Sequence, residues 1–308
     1  MVLILFNERR LTMKKIFMFI TFLLTLASIT YSQLNVVTTY PYIADIVQRV
    51  GKEKVQVTAL ARGDYNPHVI VPKPSYIAKL RKADLLIING AQLEIGWLPP
   101  ILKQANNGTI QPGEKGFLDL ASRVHLIEVP KNVSREMGDV HPEGNPHFCL
   151  SPDNIPVIAT AIAQKLSELD PANASAYEAN KTVFLKLWEQ KASQWQKAME
   201  PLKGTKVIEY HKIFDYFIQH FGLSLAGTVE PLPGIPPTTK HVAEVEQTIT
   251  RDRIRFILQD VYNPKDASQY LAQRTGAKLL VLPHDVGAVK EAADIIALFD
   301  EIVRRITQ

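Results

Sequence analysis

The chain has a single cysteine, Cys149. That excludes an internal disulfide framework and any zinc site built on several thiolates. Cys149 also lies far from the N-terminus, so a lipid anchor on a mature N-terminal cysteine is not expected. No Gly-x-Gly-x-x-Gly or phosphate-binding loop is present, which leaves nucleotide chemistry unsupported, and there is no His-Glu-x-x-His helix. A strong charge of either sign is also lacking, since 35 basic residues face 31 acidic ones for a net +4. The first 32 residues supply +3 of this (Arg9, Arg10, Lys14 and Lys15 against Glu8), leaving about +1 for the rest. A nucleic-acid surface is therefore not the default expectation.

The composition is ordinary for a globular protein: 308 residues, 46% hydrophobic and 21% charged. At roughly 150 residues per domain this length suggests two domains or one large one. Lys14 and Lys15 precede a short apolar run, Ile16 to Ile29, with small residues beyond it. The run falls short of the roughly 20 residues that span a bilayer, and nothing later looks transmembrane. Residues 1–32 thus read as a cleaved signal peptide, with Met13 a second possible start and Gln33 near the mature N-terminus. The expected location is a bacterial periplasm, with the protein soluble.

Strand and helix patterns alternate along the remainder, as βαβ units of a parallel sheet do. Strands are expected at 34–39, 55–60, 84–89 and 124–129 in the first half, and at 206–210, 223–229, 254–260 and 278–282 in the second. Asp153 is expected to cap a helix running to Leu169. From Ala174 to about Lys203 glycine is absent, and Tyr177, Phe184, Trp188, Ala192, Trp195 and Met199 recur at helical spacing. The fold class expected is α/β, with two similar lobes (33–172 and 204–308) joined by one long helix (173–203). The stretch 131–146 reads as a surface loop.

The eight histidines sort by their place relative to the strands. In open α/β sheets ligands bind outside the carboxyl ends of strands. His68, His147, His211 and His284 all fall at loop or strand ends, two from each half, where they could converge in the cleft between the lobes. Neutral imidazole is the commonest metal-binding side chain, and several together favour zinc over magnesium or calcium. Proline before His68 and before His147 stiffens the backbone that presents the ring. The gaps of 79, 64 and 73 residues match no local metal motif, and a histidine beside a proline is more often a loop residue than a ligand, so on residue pattern alone loop histidines without a ligand role are the commoner reading. His125 reads as a strand-face residue, His220 as a helix-end residue, and His241 and His141 as solvated. Cys149 reads as a buried free thiol that could assist a soft metal.

Three segments carry a resemblance. They are "NPHVIVPKPS" around His68, "NPHFCLSPDN" around His147 and "VIEYHKIFDYFIQHFGL" around His211. In order and spacing they are similar to the zinc- and manganese-binding solute-binding proteins of bacterial ABC transporters, over about residues 34 to 308. The resemblance implies two α/β lobes joined by a long helix, with the metal held between them. It implies that His68, His147 and His211 are metal ligands and that a membrane permease is the partner. In "PHDVG" it places His284 at the position of the fourth ligand, with Asp285 or a water as alternatives. The long His-rich loop of many zinc members is missing here, where "NVSREMGDVHPEG" holds only His141. Zn²⁺ is favoured over Mn²⁺ because manganese-type members supply more carboxylates.

The expected function is high-affinity capture of Zn²⁺ as transported cargo by a non-enzymatic, monomeric protein, with binding weakening below about pH 6 as imidazoles protonate near 6.5. One alternative is a zinc hydrolase with three histidines and a water, for which Glu209 is the only neighbouring carboxylate on the His211 strand. The other is a two-lobed protein that binds an organic ligand or chelate.

Overall fold

The computed structural model describes residues 33–132 and 141–308. The expected signal peptide and residues 133–140 of the irregular stretch lie outside them. The first sheet contains β1 (Leu34–Thr38), β2 (Val55–Ala59), β3 (Leu85–Ile88) and β4 (Phe117–Asp119). Their order is β2-β1-β3-β4, all parallel. The second contains β5 (Lys206–Glu209), β6 (Ser224–Thr228), β7 (Phe256–Gln259) and β8 (Lys278–Val281), in the order β6-β5-β7-β8 and again all parallel. The two lobes thus share one strand order. Parallel strands with helices on their faces are buried on both sides and read as continuous apolar runs. Leu85–Ile88, "LLII", is such a run, and its first three residues are fully buried.

The first lobe holds α1 (Pro41–Gly51), α2 (Pro74–Arg81), α3 (Leu98–Ala105) and α4 (Asn154–Leu169). Pro41 suits the first turn of α1 because that turn's N–H groups lack intrahelical partners. Ile43, Ile46, Val47 and Val50 then line its buried face. Next comes α5 (Ala174–Met199), followed by α6 (Asp215–His220), α7 (Thr239–Asp252), α8 (Asp266–Thr275) and α9 (Ile295–Thr307). The 26 residues of α5 extend about 39 Å at 1.5 Å per residue. Its buried side chains, Tyr177, Phe184, Trp188, Trp195 and Met199, are five of the six apolar positions read from the sequence, and the sixth, Ala192, is half-buried against the same core. Among the described residues no helix is long and apolar enough to cross a membrane.

The last helix does not stay with its own sheet. Trp195 on α5 stacks on Phe299 of α9, with ring centroids 5.1 Å apart. Asp45 on α1 accepts a hydrogen bond from the Ile295 amide at 3.1 Å, and Arg49 pairs with Asp294 at 3.2 Å. The C-terminal segment therefore returns to the first half and packs against both α1 and the long helix.

Two local expectations are corrected. Val124–Val129 forms no strand, and the fourth strand of the first sheet is Phe117–Asp119. Glu128 has φ of +56°, which breaks an extended run. The neighbouring backbone is satisfied elsewhere, Ile127 donating to the Tyr216 hydroxyl and accepting from the Asn145 amide. His125 is accordingly an exposed loop residue rather than part of a strand face. Asp153 stands before α4 but makes no side-chain capping bond, and its carboxylate instead bonds His220 Nδ1 at 2.8 Å.

Candidate metal centre

The loops that leave the carboxyl ends of the strands build the site. His68 lies between β2 and α2, His147 between β4 and α4, His211 just after β5 and His284 just after β8. The first two are held by the same device. In Asn66-Pro67-His68 the asparagine Oδ1 accepts the His68 amide at 2.9 Å, and in Asn145-Pro146-His147 the Asn145 Oδ1 accepts the His147 amide at 2.9 Å. An asparagine that bonds the backbone two residues on, followed by a proline of fixed φ, makes a stiff turn that aims the third residue. Asn145 also reaches across the lobes, its Nδ2 donating to the Lys212 carbonyl and to Asp215 at 3.0 Å each.

His68, His147 and His211 come together. One ring nitrogen from each lies within 4.8 Å of the other two. Ring centroids are 5.2 Å apart for His68–His147, 5.4 Å for His68–His211 and 5.6 Å for His147–His211. Nitrogens at about 2.0–2.1 Å from a tetrahedral zinc would stand roughly 3.4 Å from each other, so a small inward shift would suffice. His68 Nε2 and His147 Nε2 are buried and have no hydrogen-bond partner among the described residues. Buried polar atoms are normally satisfied, so two such lone pairs in one cleft invite an electrophile. His211 is oriented by Glu230, which follows β6 on the neighbouring strand and contacts His211 Nδ1 at 2.6 Å. Glu128, His141, Lys212 and Pro233 line the cleft beside the rings, and its volume is about 220 Å³.

Burial pushes the His68 and His147 imidazoles well below their usual range, and the neighbouring histidines push the same way. Both rings are therefore neutral, with a lone pair available, at neutral pH and well below it.

His284 is not in the set of three. Its Nε2 contacts the Tyr65 carbonyl at 3.2 Å, and its ring lies edge-on to Tyr262 at 4.9 Å. Its Nδ1 is buried without a hydrogen-bond partner among the described residues. Burial brings its pKa down to about 4, against the upward pull of Asp260 and the Tyr65 carbonyl. Asp285 has a different occupation. Its Oδ1 accepts the amides of Val286 at 2.6 Å and Tyr42 at 2.9 Å, the latter in the first turn of α1. A residue from the second half thus caps a helix of the first. Gly63 lies beside this junction, where a Cβ would stand 1.9 Å from the Val286 carbonyl oxygen, so only glycine permits the approach.

The remaining candidates fall away from the cleft or behind it. Glu209 is fully buried and accepts the Phe214 amide at 3.1 Å, and burial, with the nearby Asp215 adding to it, pushes its carboxyl well above the usual range, so it is not presented to the cleft as a general base would be. Cys149 is buried, and burial raises its thiol pKa. His241 bonds the Thr228 carbonyl at 2.9 Å. Glu230, Asn66 and Asn145 were not singled out by sequence. The repeated Asn-Pro-His was the available signal for the asparagines, whereas Glu230 gives no local sign of meeting a residue nineteen positions earlier.

Residues 36–308 match the model of a family described as zinc-uptake complex component A, periplasmic (ZnuA). The chain is 26% identical over 245 residues to the metal ABC transporter substrate-binding lipoprotein ScbA of Streptococcus cristatus, covering 78% of this chain and 72% of that one. It is 24% identical over 266 residues to the high-affinity zinc uptake system protein ZnuA of Bacillus subtilis (strain 168), covering 85% and 82%. To the manganese ABC transporter substrate-binding lipoprotein PsaA of Streptococcus pneumoniae it is 26% identical over 222 residues, covering 69% and 68%. Among solved structures, a crystal structure of ZnuA superposes with a TM-score of 0.75 at 23% identity, covering 90% of this chain and 98% of that one. Two relatives carry the word lipoprotein in their names; the segment that bears on an anchor here lies outside the described residues. With nearly all of its described length matched by that one model, the chain belongs to the ZnuA family of metal ABC transporter substrate-binding proteins, which are not enzymes.

Proposed function

We propose that the protein captures Zn²⁺ in the periplasm, after removal of residues 1–32, and delivers it to the permease of a metal ABC transporter. His68, His147 and His211 hold the ion, and the His284 Nδ1 completes the sphere when its loop closes inward. The observation that carries this is the meeting of three imidazoles, two with unpartnered buried nitrogens, at the ends of strands from both lobes. Nitrogen-rich sets suit zinc, whereas manganese favours carboxylate and water oxygens. The carboxylate beside the fourth position, Asp285, is already engaged by two amides. Four nitrogens closing a tetrahedron hold an ion rather than activate a water. Since α5 runs unbroken between the lobes (33–172 and 204–308), opening them means bending a helix, so release is assigned to contact with the permease.

Metal content tests this. The purified chain should retain one zinc after dialysis and prefer Zn²⁺ to Mn²⁺ in competition, while the H68A/H211A variant should retain none. Equal zinc in both would overturn the assignment.

The pH dependence should differ from that of free imidazoles. A proton competes with zinc only once the ligand titrates, near 6.5 for an unperturbed histidine. Here burial lowers His68 and His147 well below that value, and His284 to about 4. A depressed pKa keeps the neutral form to lower pH, so proton competition at His68, His147 and His284 should set in only below about pH 6. Ring NMR of the metal-free chain that shows His68 or His147 titrating near 6.5 would show these rings to be solvated.

A further inference from the structure

The rear nitrogens of two rings in the set are held. That of His211 meets Glu230. That of His68 meets a fourth imidazole, since His68 Nδ1 lies 3.3 Å from His141 Nε2 and the two rings are 5.1 Å apart at an interplanar angle of 33°. His141 also lines the cleft. It is joined to His68 by no sequence motif, standing 73 residues away in a segment that reads as solvated loop.

Tautomers decide what the contact does. His68 Nε2 is the buried nitrogen without a hydrogen-bond partner among the described residues, and it is the atom available to a metal. To ligate it must be bare, so the neutral ring carries its proton on Nδ1. The Nδ1–H then donates to His141 Nε2, and His141 keeps its own proton on Nδ1. A metal-bound histidine that donates its other N–H to an acceptor is fixed in orientation and made more basic. Glu230 can do this for His211 with a carboxylate oxygen, and His141 does it for His68 with an sp² nitrogen.

We propose that His141 is a positioning residue of the metal site, accepting the His68 Nδ1–H and locking the tautomer that presents Nε2 to the ion. This rests on the metal-site reading above. It differs from a direct-ligand role for His141, in which its Nε2 would bind the ion itself.

Glutamine separates the two roles, because its side-chain oxygen can take the place of Nε2 as an acceptor but is a weak zinc ligand. Zinc affinity is measured by competition with a chromophoric chelator on the full mature chain, and Co²⁺ absorption reports the donor set. Loss of an outer partner of a metal-binding histidine typically weakens binding about 10–100-fold. H141A should show that loss with the Co²⁺ bands unmoved, and H141Q should recover to within about threefold of the parent, on the scale of that same effect. Unchanged affinity in H141A would overturn the proposal. So would H141Q binding no better than H141A, and a shifted Co²⁺ spectrum in either variant would make His141 a ligand. Failure of the metal-site reading is seen separately, as retention of zinc by H211A.

Discussion

Replacing His147 with alanine is expected to cost about 100-fold or more in zinc affinity while leaving the metal-free fold intact. Zinc bound by a closed nitrogen or sulfur site releases about 10–16 kcal/mol, so each of four ligands carries roughly 3 kcal/mol. At 1.4 kcal/mol per decade that is about two powers of ten. The metal-free protein should not suffer comparably. His147 is 5% exposed, and its Nε2 has no hydrogen-bond partner among the described residues. Its imidazole is therefore a polar group whose desolvation is uncompensated, a state that costs about 1–3 kcal/mol. Alanine removes that cost together with some packing. The two effects separate in a thermal melt. Under saturating zinc a 100-fold weaker site forfeits about 2.7 kcal/mol of ligand stabilisation. At roughly 2–4 °C per kcal/mol, the zinc-induced rise in Tm should shrink by about 5–10 °C. Melting of the metal-free variant should stay near that of the parent. A variant whose metal-free Tm collapses would mean that His147 is a structural residue of the core.

Much of this site can be read from sequence because its chemistry sits where strand periodicity ends. His211 and His284 follow apolar runs directly, and a residue at the carboxyl end of a parallel strand is placed by the sheet itself. The proline before His68 and His147 marks stiff turns, and the family resemblance adds the expectation of a cleft. Three relations stay hidden because distant segments create them. The Glu230 contact depends on β6 lying beside β5. The contact of His141 with His68 joins residues 73 positions apart that no motif links. The occupation of Asp285 depends on the second half reaching α1. Sequence placed Asp285 one residue from a proposed ligand position but had no means of finding Tyr42, 243 residues away. The missed strand Phe117–Asp119 has a similar origin. Three residues give little periodicity, while the apolar "VHLIEV" nearby looks stronger and is used for packing without a ladder.

The largest expected loss of stability comes from Trp188→Ala on the long helix. Trp188 is 2% exposed, its indole N–H donates to the Pro152 carbonyl at 2.9 Å, and its ring meets Trp195 at 5.0 Å, Phe299 at 5.3 Å and Phe184 at 5.9 Å. These partners come from α5 itself, from the turn before α4 and from α9, so one side chain joins three separate segments. Truncating a buried tryptophan costs about 3–5 kcal/mol, because the hole it leaves cannot close against several rigid helices. Against a total of about 5–15 kcal/mol this is a large share. The Tm should fall by roughly 6–20 °C. Lys191→Ala is the natural comparison, since Lys191 also joins α5 to α9 through Asp300 at 2.7 Å. That pair is partly exposed, and such pairs are worth at most about 1 kcal/mol. Equal losses in the two variants would show that charge rather than aromatic packing binds the helices. Zinc separates the consequences further. The proposed ligands stand on loops at the strand ends and make no ring contact with this cluster among the described residues, so metal affinity at 25 °C should change much less in Trp188→Ala than in His147→Ala. A parallel fall in affinity would mean that the aromatic contacts of α5 also set the distance between the lobes at the cleft.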